Sequence, residues 1–86
     1  MWTVDELSGN AVNGVNKAIV IQVELSERFD VFLYEQTDAG TCVTPLKWYL
    51  LKDEAQEYVR KLVDILNIYG DEAIINFAKL NAEETR

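Results

Sequence analysis

The sequence predicts an α+β fold. It expects an antiparallel sheet of three to four strands, with a β-hairpin over residues 18–36 at its centre, packed against two C-terminal helices. Three observations carry that prediction. Apolar residues alternate with period two through residues 18–36. They recur at three- and four-residue spacing from Ala55 to Tyr69. Strand-like segments precede helix-like ones, the order expected when one helical layer covers one antiparallel sheet.

Residues 1–7 read as a short strand, with Trp2, Val4 and Glu6 alternating against Thr3, Asp5 and Leu7. The stretch from Ser8 to Asn16 holds three Asn and two Gly, so it reads as a flexible loop over 8–16. Ala18 to Leu25 is the clearest strand, placing Ile19, Ile21, Val23 and Leu25 on one face and Gln22 and Glu24 on the other. Ser26-Glu27-Arg28 makes a turn. Phe29 to Gln36 continues the hairpin with Val31 and Leu33 opposite Phe32 and Tyr34, so both faces of this strand are apolar at its middle.

Thr37-Asp38-Ala39-Gly40 has turn residues in suitable places. Two readings fit the segment after this turn. Thr44 could cap a helix with Pro45 at its first position, and Trp48, Leu51, Ala55, Tyr58 and Leu62 would continue it. The favoured reading ends a strand near Leu51 and starts the helix at about Asp53, with Asp53 and Gln56 supplying its start. That helix runs to Tyr69 with Ala55, Tyr58, Val59, Leu62, Val63, Ile65, Leu66 and Tyr69 on its apolar face. Gln56–Arg60, Glu57–Lys61 and Arg60–Asp64 face each other on the other side. Gly70 closes it in a left-handed conformation and Asp71 caps a second helix, Glu72 to about Asn81. Residues 83–86 are expected to fray.

Length allows one domain, residues 1–86. Fifteen acidic against eight basic residues give a net charge of −7 on 9.8 kDa. Nucleic-acid backbones and anionic membranes repel such a surface, so direct nucleic-acid binding and membrane association are disfavoured. The single cysteine, Cys42, excludes an intramolecular disulfide, and the N-terminal residues lack the pattern of a secretion signal. A cytoplasmic protein is expected.

Catalysis finds few candidates. Histidine is absent, which removes the commonest general base and metal ligand. Cys42 reads as an inert, partly buried thiol. The acidic clusters Asp53/Glu54/Glu57 and Asp71/Glu72 lie in first helical turns, where the helix dipole accounts for them. The four glycines are scattered and form no phosphate loop. The chain is therefore read as a non-enzyme with no cofactor and no metal site.

Phe32, Tyr34, Trp48 and Tyr49 form the candidate interaction surface. Phe32 and Tyr34 leave the strand on the face opposite Val31 and Leu33, and one of those two faces must meet a helix or a partner. The expected function is a protein-interaction or regulatory module, with an acidic inhibitor of a basic surface as a special case and a homodimer as one assembly. A second reading rests on Val43-Thr44-Pro45-Leu46-Lys47-Trp48 leading into a helix after four strands. This resembles the strand-to-helix junction of the Whirly and purine-rich-element-binding group. The resemblance implies dimerisation and single-stranded nucleic-acid binding, although the strands here carry only Lys17, Arg28 and Lys47 as cations.

Overall fold

Alternating apolar side chains build a sheet when turns return each strand beside its predecessor, and this chain does so at every connection. The computed structural model describes residues 1–23 and 27–73. It contains β1 (Thr3–Val4), β2 (Ala11–Asn13), β3 (Lys17–Val23), β4 (Phe29–Thr37), β5 (Gly40–Tyr49) and α1 (Lys52–Tyr69). The strands form one antiparallel meander in the order β1-β2-β3-β4-β5, so β3 is central and β5 is a long edge strand. The α+β class is as expected from the sequence, with five strands rather than three to four.

The additional strand lies inside the segment read as a flexible loop. Ala11 is buried and pairs with Ile19, while Asn10 accepts a hydrogen bond from the Ile21 backbone N–H at 2.9 Å, where the β2 ladder stops. Asp5 begins the reversal that makes this pairing possible. Its carbonyl accepts from Gly9 N–H at 2.7 Å, and its own N–H donates to the Asn10 carbonyl at 2.8 Å. Gly9 is required by space as well as by its φ of +77°, because a Cβ there would stand 2.4 Å from Gln56 Cγ on the helix. Gln56 is therefore a packing residue, not the helix start that the sequence suggested.

The helix begins one residue earlier than expected. Leu51, in extended conformation, precedes it without a side-chain cap, while Asp53 and Glu54 occupy the first turn, where their charge favours the helix dipole. Ala55, Tyr58, Val59, Leu62, Val63 and Leu66 are buried against the sheet. Tyr69, assigned to the apolar face by spacing, is exposed because it lies at the last turn. Of the three expected helix pairs, Glu57–Lys61 forms an ion pair at 3.3 Å, whereas Arg60 reaches Glu6 at 3.8 Å. Gly70 has positive φ and its N–H bonds the Leu66 carbonyl, although its ψ of 168° is extended, not left-handed helical.

The sheet face under α1 carries Ile19, Val31 and Leu33, with Ile21, Phe29 and Tyr49 partly buried beside them. Val23, expected on the same apolar face, is exposed. The expected second helix falls beyond the described residues except for Glu72 and Ala73, as do the tail 83–86, Leu25 and the first residue of the 26–28 turn.

Asp71, expected to cap a following helix, accepts from two side chains early in the sequence. One oxygen accepts from Trp2 Nε1 at 2.8 Å and the other from Lys17 Nζ at 2.6 Å. Asn67 completes the clamp, accepting from Trp2 N–H at 2.9 Å and donating to the Trp2 carbonyl at 3.1 Å. The hydrogen bond from Lys17, then that from Trp2, holds the Asp71 carboxyl below the usual carboxylate range; the same bond raises the Lys17 ammonium. A carboxyl lowered on folding stabilises the fold above its unfolded pKa, near 4, and that contribution is lost as pH falls through the lower folded value. The raised Lys17 stabilises below about pH 10.4 and loses its contribution as pH rises through its folded value. Both side chains are about one-third exposed, at 34% and 36%, so after screening the pair is worth no more than about 1 kcal/mol. Asp71→Asn is expected to flatten the acid limb of a plot of urea midpoint against pH. An unchanged limb would remove Asp71 from the account.

Candidate interaction surface

The face of the sheet opposite α1 has no covering element among the described residues. Cross-strand register places Val20 beside Phe32, Ala18 beside Tyr34, Tyr34 beside Val43, and Asp30 beside Trp48. Phe32 and Tyr34 contact edge to face with ring centroids 6.5 Å apart. The Tyr34 hydroxyl accepts from Gln22 Nε2 at 2.7 Å, which fixes the ring along the sheet. Val12 and Trp48 are each 49% exposed. The result is a half-exposed aromatic and aliphatic surface instead of a polar one.

Three of the four residues singled out from sequence share this surface: Phe32, Tyr34 and Trp48. Tyr49 does not. It lies beneath the helix, its ring 5.8 Å from that of Tyr58, because consecutive strand residues point to opposite faces. Sequence reasoning missed Arg28, whose guanidinium lies 5.0 Å from the Trp48 ring centroid and whose Nε stands 3.0 Å from Asp30 Oδ1. That Nε is buried but poorly aligned for a hydrogen bond, so the contact is an ion pair held over an aromatic ring. The signal was the Arg28-x-Asp30 spacing at the start of a strand, which puts the Asp30 carboxylate on the aromatic face.

A shallow cleft of about 340 Å³ follows from a β-bulge. Val31 pairs with Lys47 but Phe32 pairs with Pro45, leaving Leu46 as the extra residue. The bulge bends β5 away and opens a space bounded by Arg28, Asp30, Phe32, Pro45 and Trp48. Proline is tolerated here because β5 is an edge strand. Among the described residues, the charged side chains that line this cleft are Arg28, Asp30 and Lys47, and Arg28 pairs with Asp30. The exposed carboxylates Asp53, Glu54, Glu57 and Asp64 belong to the helix on the other side.

Cys42, expected to be partly buried, is an exposed free thiol on β5. No three His, Cys, Asp or Glu side chains among the described residues converge in a way that could hold a metal ion. No described helix is long and apolar enough to cross a membrane. The segment that resembles the Whirly-type junction, Val43 to Trp48, lies wholly within β5, and the passage to the helix comes later, at Leu50 and Leu51. No family model matches the chain, and no curated protein or solved structure shows significant similarity to it.

Proposed function

We propose that this chain is a non-catalytic protein-interaction module that binds another protein through the uncovered sheet face, with Phe32, Tyr34 and Trp48 as its anchors. One observation carries the reading: among the described residues of a chain with net charge −7, the aromatic surface holds a single carboxylate, Asp30, and Arg28 neutralises it. Depletion of charge around aromatic side chains beside an Arg is the composition that concentrates binding energy at protein interfaces. The partner's complementary surface is apolar at its centre, with an acceptor group for the Arg28 guanidinium. A single strand of nucleic acid is the poorer fit, because a phosphate backbone would meet only Arg28 and Lys47 around this cleft.

Capture from a cell lysate with three baits tests the reading. Wild type and a helix charge-reversal variant (Glu57→Lys with Asp64→Lys) are expected to retain the same protein. Trp48→Ala is expected to lose it, with affinity for the isolated partner reduced about thirtyfold, the cost of a hot-spot residue worth about 2 kcal/mol. Retention by Trp48→Ala combined with loss in the helix variant would transfer the function to the acidic side, as an inhibitor of a basic surface. Salt-sensitive binding of a labelled single-stranded oligonucleotide at low ionic strength would replace the protein partner with nucleic acid.

A further inference from the structure

A different surface, the free edge of β5, has the pattern of a strand that pairs with another strand. Gly40 to Leu46 contains no charged residue, in a chain where 27% of residues are charged. Edge strands are ordinarily protected by charge, by a covering loop or by shortness. At the opposite edge β1 has two residues, whereas β5 has ten. Among the described residues, the protection of β5 is limited to Pro45, the bulge and Lys47, all at its C-terminal end.

The backbone fixes which residues face outward. Gln36 N–H donates to the Asn16 carbonyl at 2.7 Å, toward the β3 side, so Gln36 does not exchange hydrogen bonds with its β5 partner Thr41. Antiparallel pairs alternate between bonded and non-bonded. Thr41, Val43 and Pro45 therefore direct their backbone groups at the free edge, while Cys42 and Thr44 bond to β4. Pro45 fits this parity, since its missing N–H is one that β4 does not need.

We propose that two copies of this chain pair through β5, antiparallel about a two-fold axis at Cys42, so that the two five-stranded sheets become one of ten strands. Residues opposite one another must share a face, which restricts a two-fold pairing to registers centred on a single residue. Centring on Val43 sets Thr41 against Pro45 of the other copy, and the Thr41 carbonyl finds no donor. Centring on Thr41 needs the turn residue Ala39 as a ladder partner. Centring on Cys42 pairs Thr41 with Val43 twice over, so the N–H and C=O groups of both residues are satisfied in each copy and the Pro45 carbonyl, beyond the paired stretch, stays in solvent. It also brings the Asp38 turn of each copy beside the Leu46–Lys47 stretch of the other, an opposite-charge contact at both ends of the seam. This self-complementarity selects a second copy as the occupant. The seam is independent of the aromatic-face reading above.

Light scattering on the full chain, with oxidative trapping of Cys42, tests the pairing. Wild type is expected at twice the 9.8 kDa chain mass. Cys42 faces its own symmetry mate in a non-bonded pair, with Cα atoms about 4.5 Å apart, within the range of a disulfide. Addition of diamide, which takes up the two hydrogens of the thiol pair, is expected to yield a covalent dimer at dilutions where Val43→Pro gives none. Val43→Pro removes only an outward N–H, and Val43→Lys keeps the N–H but adds charge, so agreement between them guards against a folding artefact. Trp48→Ala is expected to remain dimeric, which separates this proposal from the partner-binding one. A monomeric wild type, a dimer that survives both Val43 variants, or a dimer that Cys42 does not cross-link would overturn it.

Discussion

Trp2→Ala is expected to cost about 3–5 kcal/mol, as for large aromatic-to-alanine changes in cores. Stability for a domain of 86 residues is of order 4–13 kcal/mol, so this one change removes a large share of it. The residue is 3% exposed, and its indole and backbone make three hydrogen bonds to Asp71 and Asn67 at the far end of the chain. Truncation opens a cavity and leaves β1 without its attachment to α1. Trp2→Phe separates the contributions. It keeps the larger part of the buried ring while removing the Nε1 donor and some ring volume, so its expected cost is smaller, about 1–2 kcal/mol. Urea unfolding followed by far-UV circular dichroism reads both variants, and the slope shows whether the folded state has stayed compact. A cost below about 1 kcal/mol for Trp2→Ala would mean that the N-terminal strand is not docked in solution.

The second large effect comes from two neighbours in β3. Ile19→Asp is expected to abolish folding, because Ile19 is 0% exposed and a carboxylate there would be buried without a partner, at a cost of several kcal/mol. Val20→Asp, one residue on, points to the face that no described element covers and is expected to cost on the order of 1 kcal/mol, leaving a cooperative unfolding transition. The comparison holds strand, neighbours and charge nearly constant and changes only the face. If Val20→Asp proved as damaging as Ile19→Asp, that face would be covered, and the proposed partner-binding surface would have no basis.

Much of the fold was legible because its signals were long. The hairpin of β3 and β4 carries seven matched pairs, from Lys17–Glu35 to Val23–Phe29, and the helix shows its apolar face over four turns. β2 was not legible. Three residues, Ala11-Val12-Asn13, cannot display a period, and the flanking Gly and Asn that end it read as loop. The same limit hid the Trp2–Asp71 clamp, since nothing local in either segment reports a partner 69 residues away. At the candidate surface, Phe32 and Tyr34 were placed by simple alternation. Trp48 and Tyr49 could not be divided between faces, because that depends on the Leu46 bulge, which shifts the phase of β5 before both of them.

The meander has a consequence for how the chain closes. Each strand hydrogen-bonds only to its neighbours in sequence, so the ladder can extend one short loop at a time, with little entropy lost in each closure. The one large closure is made by α1, which crosses the sheet from the end of β5 and brings Asn67 and Asp71 back to Trp2. The two ends of the described fold are thereby joined by side chains, which makes the molecule a non-covalent ring whose fastening is Trp2 and Asp71.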